Sequence, residues 1–410
     1  MFKIKKNRFL MLIVFGSLVG AFLVNKNTII SPVQPQSVES SSAKVLKECN
    51  DLSTEKDPEN NKLQKLSCYR QRMEVLALKN GRDYTYQVLS GIQKSDPDAK
   101  NCHFIGHGIG EGLYKKSPTD IARLISESNE ICGHGELMGI MEEYVVSYGK
   151  KGIEKKDVIN LCGLEPYKDC NHAVGHMMLV ISNNDLVNSK DLCQGLGEKS
   201  QIFMCYQGMI MERFVGEALR DHELTSESSD ELAAKLPEYK KFCEQQSGQM
   251  LLACWREIAH PAFLYFERDP DQILKFCSTS SSRDAMRLCM VHSMQEISGS
   301  KNYDLVSLKK DCDTGAEYDP EFKSKCYQLL VSIKLNFISP EDSRDLIPFC
   351  NSLVSDEVAT CYSAIGGAFK RLKTPELSVE KFCTGAPHMY KKHCLGGRIA
   401  DQHSEIDSDK

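Results

Sequence analysis

The 410-residue chain lacks the short motifs that would tie it to a familiar chemistry. There is no Gly-x-x-x-x-Gly-Lys loop to cradle nucleotide phosphates, and no Gly-x-Gly-x-x-Gly follows a strand-like run. The Gly-x-Ser-x-Gly turn that exposes a hydrolase nucleophile is missing. No two cysteines are three residues apart, which excludes a Cys-x-x-Cys redox pair and a Cys-x-x-Cys-His haem attachment. Heptads of coiled-coil length are absent. The chain also lacks an excess of positive charge. Its formal net charge is −5, which argues against a general nucleic-acid binder.

Long apolar runs are scarce too. Residues 9–24 are uncharged and follow a basic start, Met-Phe-Lys-Ile-Lys-Lys-Asn-Arg. Sixteen residues fall just under the ~20 that span a bilayer. No small-x-small cleavage site directly follows them, and no cysteine lies near enough for lipid attachment. Residues 1–30 therefore read as a signal peptide or an N-terminal signal anchor. Residues 31–43, rich in Ser, Pro and Gln, read as a disordered tether. The folded part is expected over 44–400, with a flexible tail at 401–410. The expected location is extracytoplasmic, either secreted or held to a membrane by residues 9–24.

What the chain has in quantity is cysteine, eighteen in all, in a repeating order. From Cys162 onward they form seven close pairs, 8 to 14 residues apart. The gap from one pair to the next is 23, 38, 23, 23, 24 and 22 residues. A fixed period of this length marks a repeat architecture, and an even count in register reads as a disulfide ladder made in an oxidising compartment. Apolar residues at spacings of three and four flank each cysteine, which predicts two amphipathic helices per unit. The first helix would end at its cysteine and the second would begin with one. The single long gap contains a polar Ser/Glu-rich stretch, residues 220–231, expected as a surface loop.

These observations predict an all-α fold: a right-handed α-solenoid of about ten helical hairpins, stapled by nine disulfides. In unit length it is similar to tetratricopeptide and Sel1-type arrays. The Trp-x-x-Leu-Gly-x-x-Tyr consensus of the former is missing, so the similarity is one of architecture. The expected bridges are Cys49–Cys68, Cys102–Cys132, Cys162–Cys170, Cys193–Cys205, Cys243–Cys254, Cys277–Cys289, Cys312–Cys326, Cys350–Cys361 and Cys383–Cys394. The second departs from the rule, because Cys102 and Cys132 both head second helices and pair by elimination.

Five of the eleven histidines crowd into three consecutive units. His103 and His107 are four residues apart, as are His172 and His176, and His134 lies between them. On a helix that spacing puts two imidazoles on one face, where they can reach one metal ion. The expectation is a cluster of His107, His134 and His172 or His176, joined by Glu111, Glu136, Glu142 or Glu212. As a metal site it would draw on His103, His107, His134, His172, His176, Glu111 and Glu212, a donor set that suits zinc, iron or copper without separating them. Six glycines fall among these histidines. They favour a functional reading, since each costs a helix ~1 kcal/mol, but they equally suit close helix packing. Glu257, His260, His292 and Glu296 echo the pattern further on and read as ordinary helix-surface residues.

Two functions follow. The first is an extracytoplasmic binding or scaffold protein whose concave helical surface holds a protein, peptide or glycan. The second is a metal-binding protein or metal-dependent enzyme built on the His-rich units.

Overall fold

The computed structural model describes residues 37–51, 58–100, 102–128, 131–149, 155–162, 168–216, 229–337, 343–371 and 376–396. The segment expected as a signal or anchor, most of the polar stretch 220–231 and the expected tail lie outside them. Among the described residues the chain is all-helical, with no strand. In chain order the helices are α1 (Val38–Asn50), α2 (Pro58–Asn80), α3 (Arg82–Ser95), α4 (His103–Lys116), α5 (Ile121–Ser126), α6 (Gly135–Gly149), α7 (Lys155–Cys162) and α8 (Lys168–Ile181). Then come α9 (Leu186–Gln194), α10 (Lys199–Val215), α11 (Ser229–Ala234), α12 (Leu236–Glu244), α13 (Gly248–Glu257), α14 (Ala259–Tyr265) and α15 (Pro270–Cys277). The rest are α16 (Arg283–Ser300), α17 (Leu305–Tyr318), α18 (Phe322–Phe337), α19 (Leu346–Asn351), α20 (Ser355–Arg371), α21 (Glu376–Cys383) and α22 (His388–Gly396).

All nine disulfides form, with Cα–Cα distances from 4.8 to 5.9 Å, and no cysteine is free. Such a set is consistent with a secreted or otherwise extracytoplasmic protein. The second helices start earlier than the cysteines suggest. Cys68 lies in the middle of α2, and Cys205 and Cys254 lie two turns into α10 and α13. The bridges Cys49–Cys68, Cys193–Cys205 and Cys243–Cys254 thus reach the side of the second helix, whereas Cys162–Cys170 joins the end of α7 to the start of α8 and Cys102–Cys132 joins the residues just before α4 and α6. Residues 38–43, expected in the tether, are helical. Helix α1 begins at Val38, and the buried Ser42 donates from its hydroxyl to the Val88 carbonyl at 3.1 Å.

The cysteine-led helices are consecutive neighbours. Helix α2 packs on α4, α4 on α6, α6 on α8 and α8 on α10, and the row goes on through α13, α16, α18, α20 and α22. Between them runs the apolar core, with Tyr69, Met73, Trp255, Tyr327 and Tyr362 fully buried.

Three units share a turn whose register is set by the cysteine. Thirteen and fourteen residues after Cys170, Cys254 and Cys289 come Asn183–Asn184, Glu267–Arg268 and Asn302–Tyr303, each pair with left-handed backbone (φ between 50° and 66°). The residue after each pair is Asp185, Asp269 or Asp304, and its carboxylate accepts from backbone N–H groups at the start of α9, α15 or α17. That satisfies donors a helix start would leave orphaned, at about 1 kcal/mol per cap. The turn ends one helix, reverses the chain and starts the next.

Candidate functional site

Close approach between helices builds the site. A Cβ on Gly139 of α6 would lie 2.0 Å from the His107 carbonyl oxygen of α4, and one on Gly110 of α4 would lie 2.1 Å from the Glu136 carbonyl. The pair α8 and α10 repeats the arrangement: a Cβ on Gly208 would lie 1.9 Å from the His172 carbonyl, and one on Gly175 would lie 2.0 Å from that of Cys205. Only glycine lets the backbones come this near. The result is that side chains of one cysteine-led helix reach directly onto the next.

On α4, Nε2 of His107 stands 3.3 Å from Nε2 of His103. His107 turns its Nδ1 to Oε2 of Glu142 on α6, at 3.2 Å. His103 donates from Nδ1 to the carbonyls of Cys132 and Gly133, at 3.2 and 2.9 Å. On α8 the pattern recurs. Nε2 of His176 is 3.1 Å from Nε2 of His172, and Nδ1 of His176 is 2.8 Å from Oε2 of Glu212 on α10. His107, His176, Glu142 and Glu212 are buried; His103 and His172 are half-buried and form the open side.

The proton inventory makes these contacts informative. Backbone carbonyls only accept, so His103 carries its proton on Nδ1. Carboxylate partners place the protons of His107 and His176 on Nδ1 as well. In the first pair two nitrogen lone pairs therefore face each other across 3.3 Å, and a cation between them resolves the repulsion. A proton is a poor candidate. Burial first, and then the neighbouring His107, push His103 down to about 3, with the two carbonyls opposing. His172 is pushed well down by burial, and then by His176, Arg256, His103 and His292. Two nitrogens bound at about 2.0–2.1 Å to a tetrahedral ion stand about 3.3–3.4 Å apart. Imidazoles whose other ring nitrogen is held by a carboxylate or carbonyl are what metal sites use. Among the described residues no group of three or more His, Cys, Asp or Glu side chains is arranged to hold a metal ion. Each pair thus brings two imidazole nitrogens together, with no third side chain arranged to complete a metal site among the described residues.

The other expected members have these settings. His134 lies in the turn before α6, where Cys132, Gly133 and His134 have φ of 65°, 57° and 65°. Its backbone is not helical, so the helix-face geometry assumed for it does not apply. Glu111 pairs with Arg70 of α2, whose Nε lies 3.1 Å from Oε1. Burial lifts Glu111 to about 7 although Arg70 pulls it down. Glu136 is fully buried and takes Nε of Arg82 at 2.7 Å.

Glu257, His260, His292 and Glu296 are not an ordinary surface. Glu257 is fully buried and bonded to Arg256, and its second oxygen is 3.6 Å from Nε2 of the buried His292. His260 Nδ1 bonds Oε1 of Glu296 at 3.1 Å. Burial pushes Glu296 up, but His260, His292 and Arg256 together hold it down at about 2. The signal that could have found this is the register: His176 and His260 each lie six residues after their cysteine, and Glu212 and Glu296 seven after theirs.

No protein-family profile matches the chain, and no curated protein or solved structure is detectably similar to it.

Proposed function

We propose that the protein is an extracytoplasmic helical-repeat protein that binds a divalent transition-metal ion at each of its paired histidines, His103–His107 and His172–His176. The observation that carries this is the facing of two Nε2 atoms, at 3.3 and 3.1 Å, with the opposite ring nitrogens of His103, His107 and His176 already engaged. The row of consecutive cysteine-led helices supports a right-handed solenoid as the frame, in which neighbouring units offer the same register to one another. The nine covalent staples let such a frame carry close-packed glycines and buried carboxylates that would otherwise weaken it. The N-terminal segment, as a cleaved signal or an anchor, delivers the domain outside the cytoplasm.

X-ray absorption on zinc-equilibrated protein, made without a histidine tag, tests the reading. The expected spectrum has a nitrogen shell at about 2.0–2.1 Å with imidazole scattering behind it. An oxygen-only shell, or no retained zinc, would overturn it.

A further inference from the structure

In the row of cysteine-led helices each is covered by the next, and α22 (His388–Gly396) is the last of them among the described residues. It packs on α20 and α21. Its other side is open. Met389 is 71% exposed and Leu395 38%, and His388, Lys391, Lys392 and His393 are exposed around them. The last unit of a repeat array needs a polar outer face, because no further unit stacks on it. Two large apolar side chains on such a face call for a cover.

The chain that follows suits the part. Helix α22 holds no acidic residue, and neither Lys391 nor Lys392 makes an ion pair among the described residues. From Asp401 to Asp409 the sequence reverses this: Asp401, Glu405, Asp407 and Asp409 are acidic, and no Lys or Arg lies among them. Ile399 and Ile406 are seven residues apart, so helical periodicity puts them on one face, with Asp407 and Asp409 to either side. At ~1.5 Å per residue, 399–409 is about as long as α22. Gly396 and Gly397 join the two segments. A Cβ on Gly396 would meet nothing within 4 Å, so packing does not require that glycine. What a Gly-Gly pair offers is a backbone free to reverse just past a helix end.

We infer that residues 397–410 fold back over the outer side of α22 and close the end of the row. Ile399 and Ile406 cover Met389 and Leu395, and the acidic side chains meet Lys391 and Lys392. Hydrogen exchange of the full chain, read by mass spectrometry on peptides from 397–410, tests this. In the wild type the amides of 399–409 are expected to exchange about tenfold more slowly than those of an unstructured peptide, at any protein concentration. D407K/D409K should bring them to the unstructured rate, and so should K391E/K392E. The first of these leaves the sequence of every described helix unchanged and decides the matter if the second does not fold. Combining all four substitutions exchanges the two charges and should restore protection. A wild-type segment that exchanges as an unstructured peptide overturns the inference. So do paired substitutions that leave protection unchanged, and a fourfold variant as unprotected as its halves. Protection that rises with protein concentration assigns the cover to a second copy of the chain and overturns it too.

Discussion

His176 holds Glu212 through Nδ1 at 2.8 Å while its Nε2 meets that of His172 at 3.1 Å, so one buried imidazole joins its own helix to the next. Removing the carboxylate charge without changing its shape isolates the effect. Glu212→Gln should weaken zinc binding by about 10–100-fold, the usual cost of losing such a partner. Competition against a chelator of known affinity measures it. Unchanged affinity would mean that Glu212 only fills space.

The bridge Cys102–Cys132 should matter to the site beyond its contribution to stability. The Cys132 and Gly133 carbonyls fix the tautomer of His103, the residue next to Cys102. Replacing both cysteines by alanine should cost about 2–4 kcal/mol of stability and also lower zinc content at the first pair. Removing Cys383–Cys394 should cost a similar amount of stability and leave zinc content alone. Denaturant titration and metal analysis of both variants make the comparison.

Gly139→Ala tests the close approach of α4 and α6. Alanine gains about 1 kcal/mol of helix propensity, yet its Cβ would meet the His107 carbonyl at 2.0 Å, a backbone atom that cannot turn away. Overpacking of about 1–3 kcal/mol should win. Thermal unfolding should show a lower midpoint, with weakened zinc binding at the first pair. A higher midpoint would show that the helices separate at no cost.

The molecule should lose part of its stability in acid through Asp319, far in sequence from the histidines. Burial raises its carboxyl, but bonds from Arg287 and Arg283 bring it down to about 2. A depressed carboxylate stabilises above its unfolded value, near pH 4, and the contribution disappears as pH falls through about 2. Asp319→Asn should therefore cost about 2 kcal/mol at neutral pH, with the gap to wild type closing between about pH 4 and 2 in denaturant titrations. A gap independent of pH would assign the effect to packing.

Covalent chemistry and helical period made much of this legible from sequence. The cysteine spacing named eight of the bridges, because a short loop leaves each cysteine few partners, and Cys102–Cys132 followed by elimination. The four-residue spacing placed His103 with His107 and His172 with His176, because a helix returns to the same face at that interval. What sequence could not supply was register between helices. The glycine contacts decide that Glu142 and Glu212, rather than Glu111, reach the imidazoles. Glu111 goes instead to Arg70, forty-one residues earlier, a pairing no local pattern announces. His134 was assigned to a helix, whereas three successive left-handed residues turn the chain there before the helix starts. Glu257 and His292 looked like surface residues, since an isolated charged residue on a helix gives no sign of the neighbour that buries it.

The most direct measurement is metal content. Tag-free protein is equilibrated with zinc, dialysed, and compared with a variant in which His103, His107, His172 and His176 are all alanine, with circular dichroism confirming that both are helical. The account predicts two zinc ions per wild-type chain and none in the variant. A folded wild-type chain that emerges without zinc, or a variant that retains as much as the wild type, would contradict it.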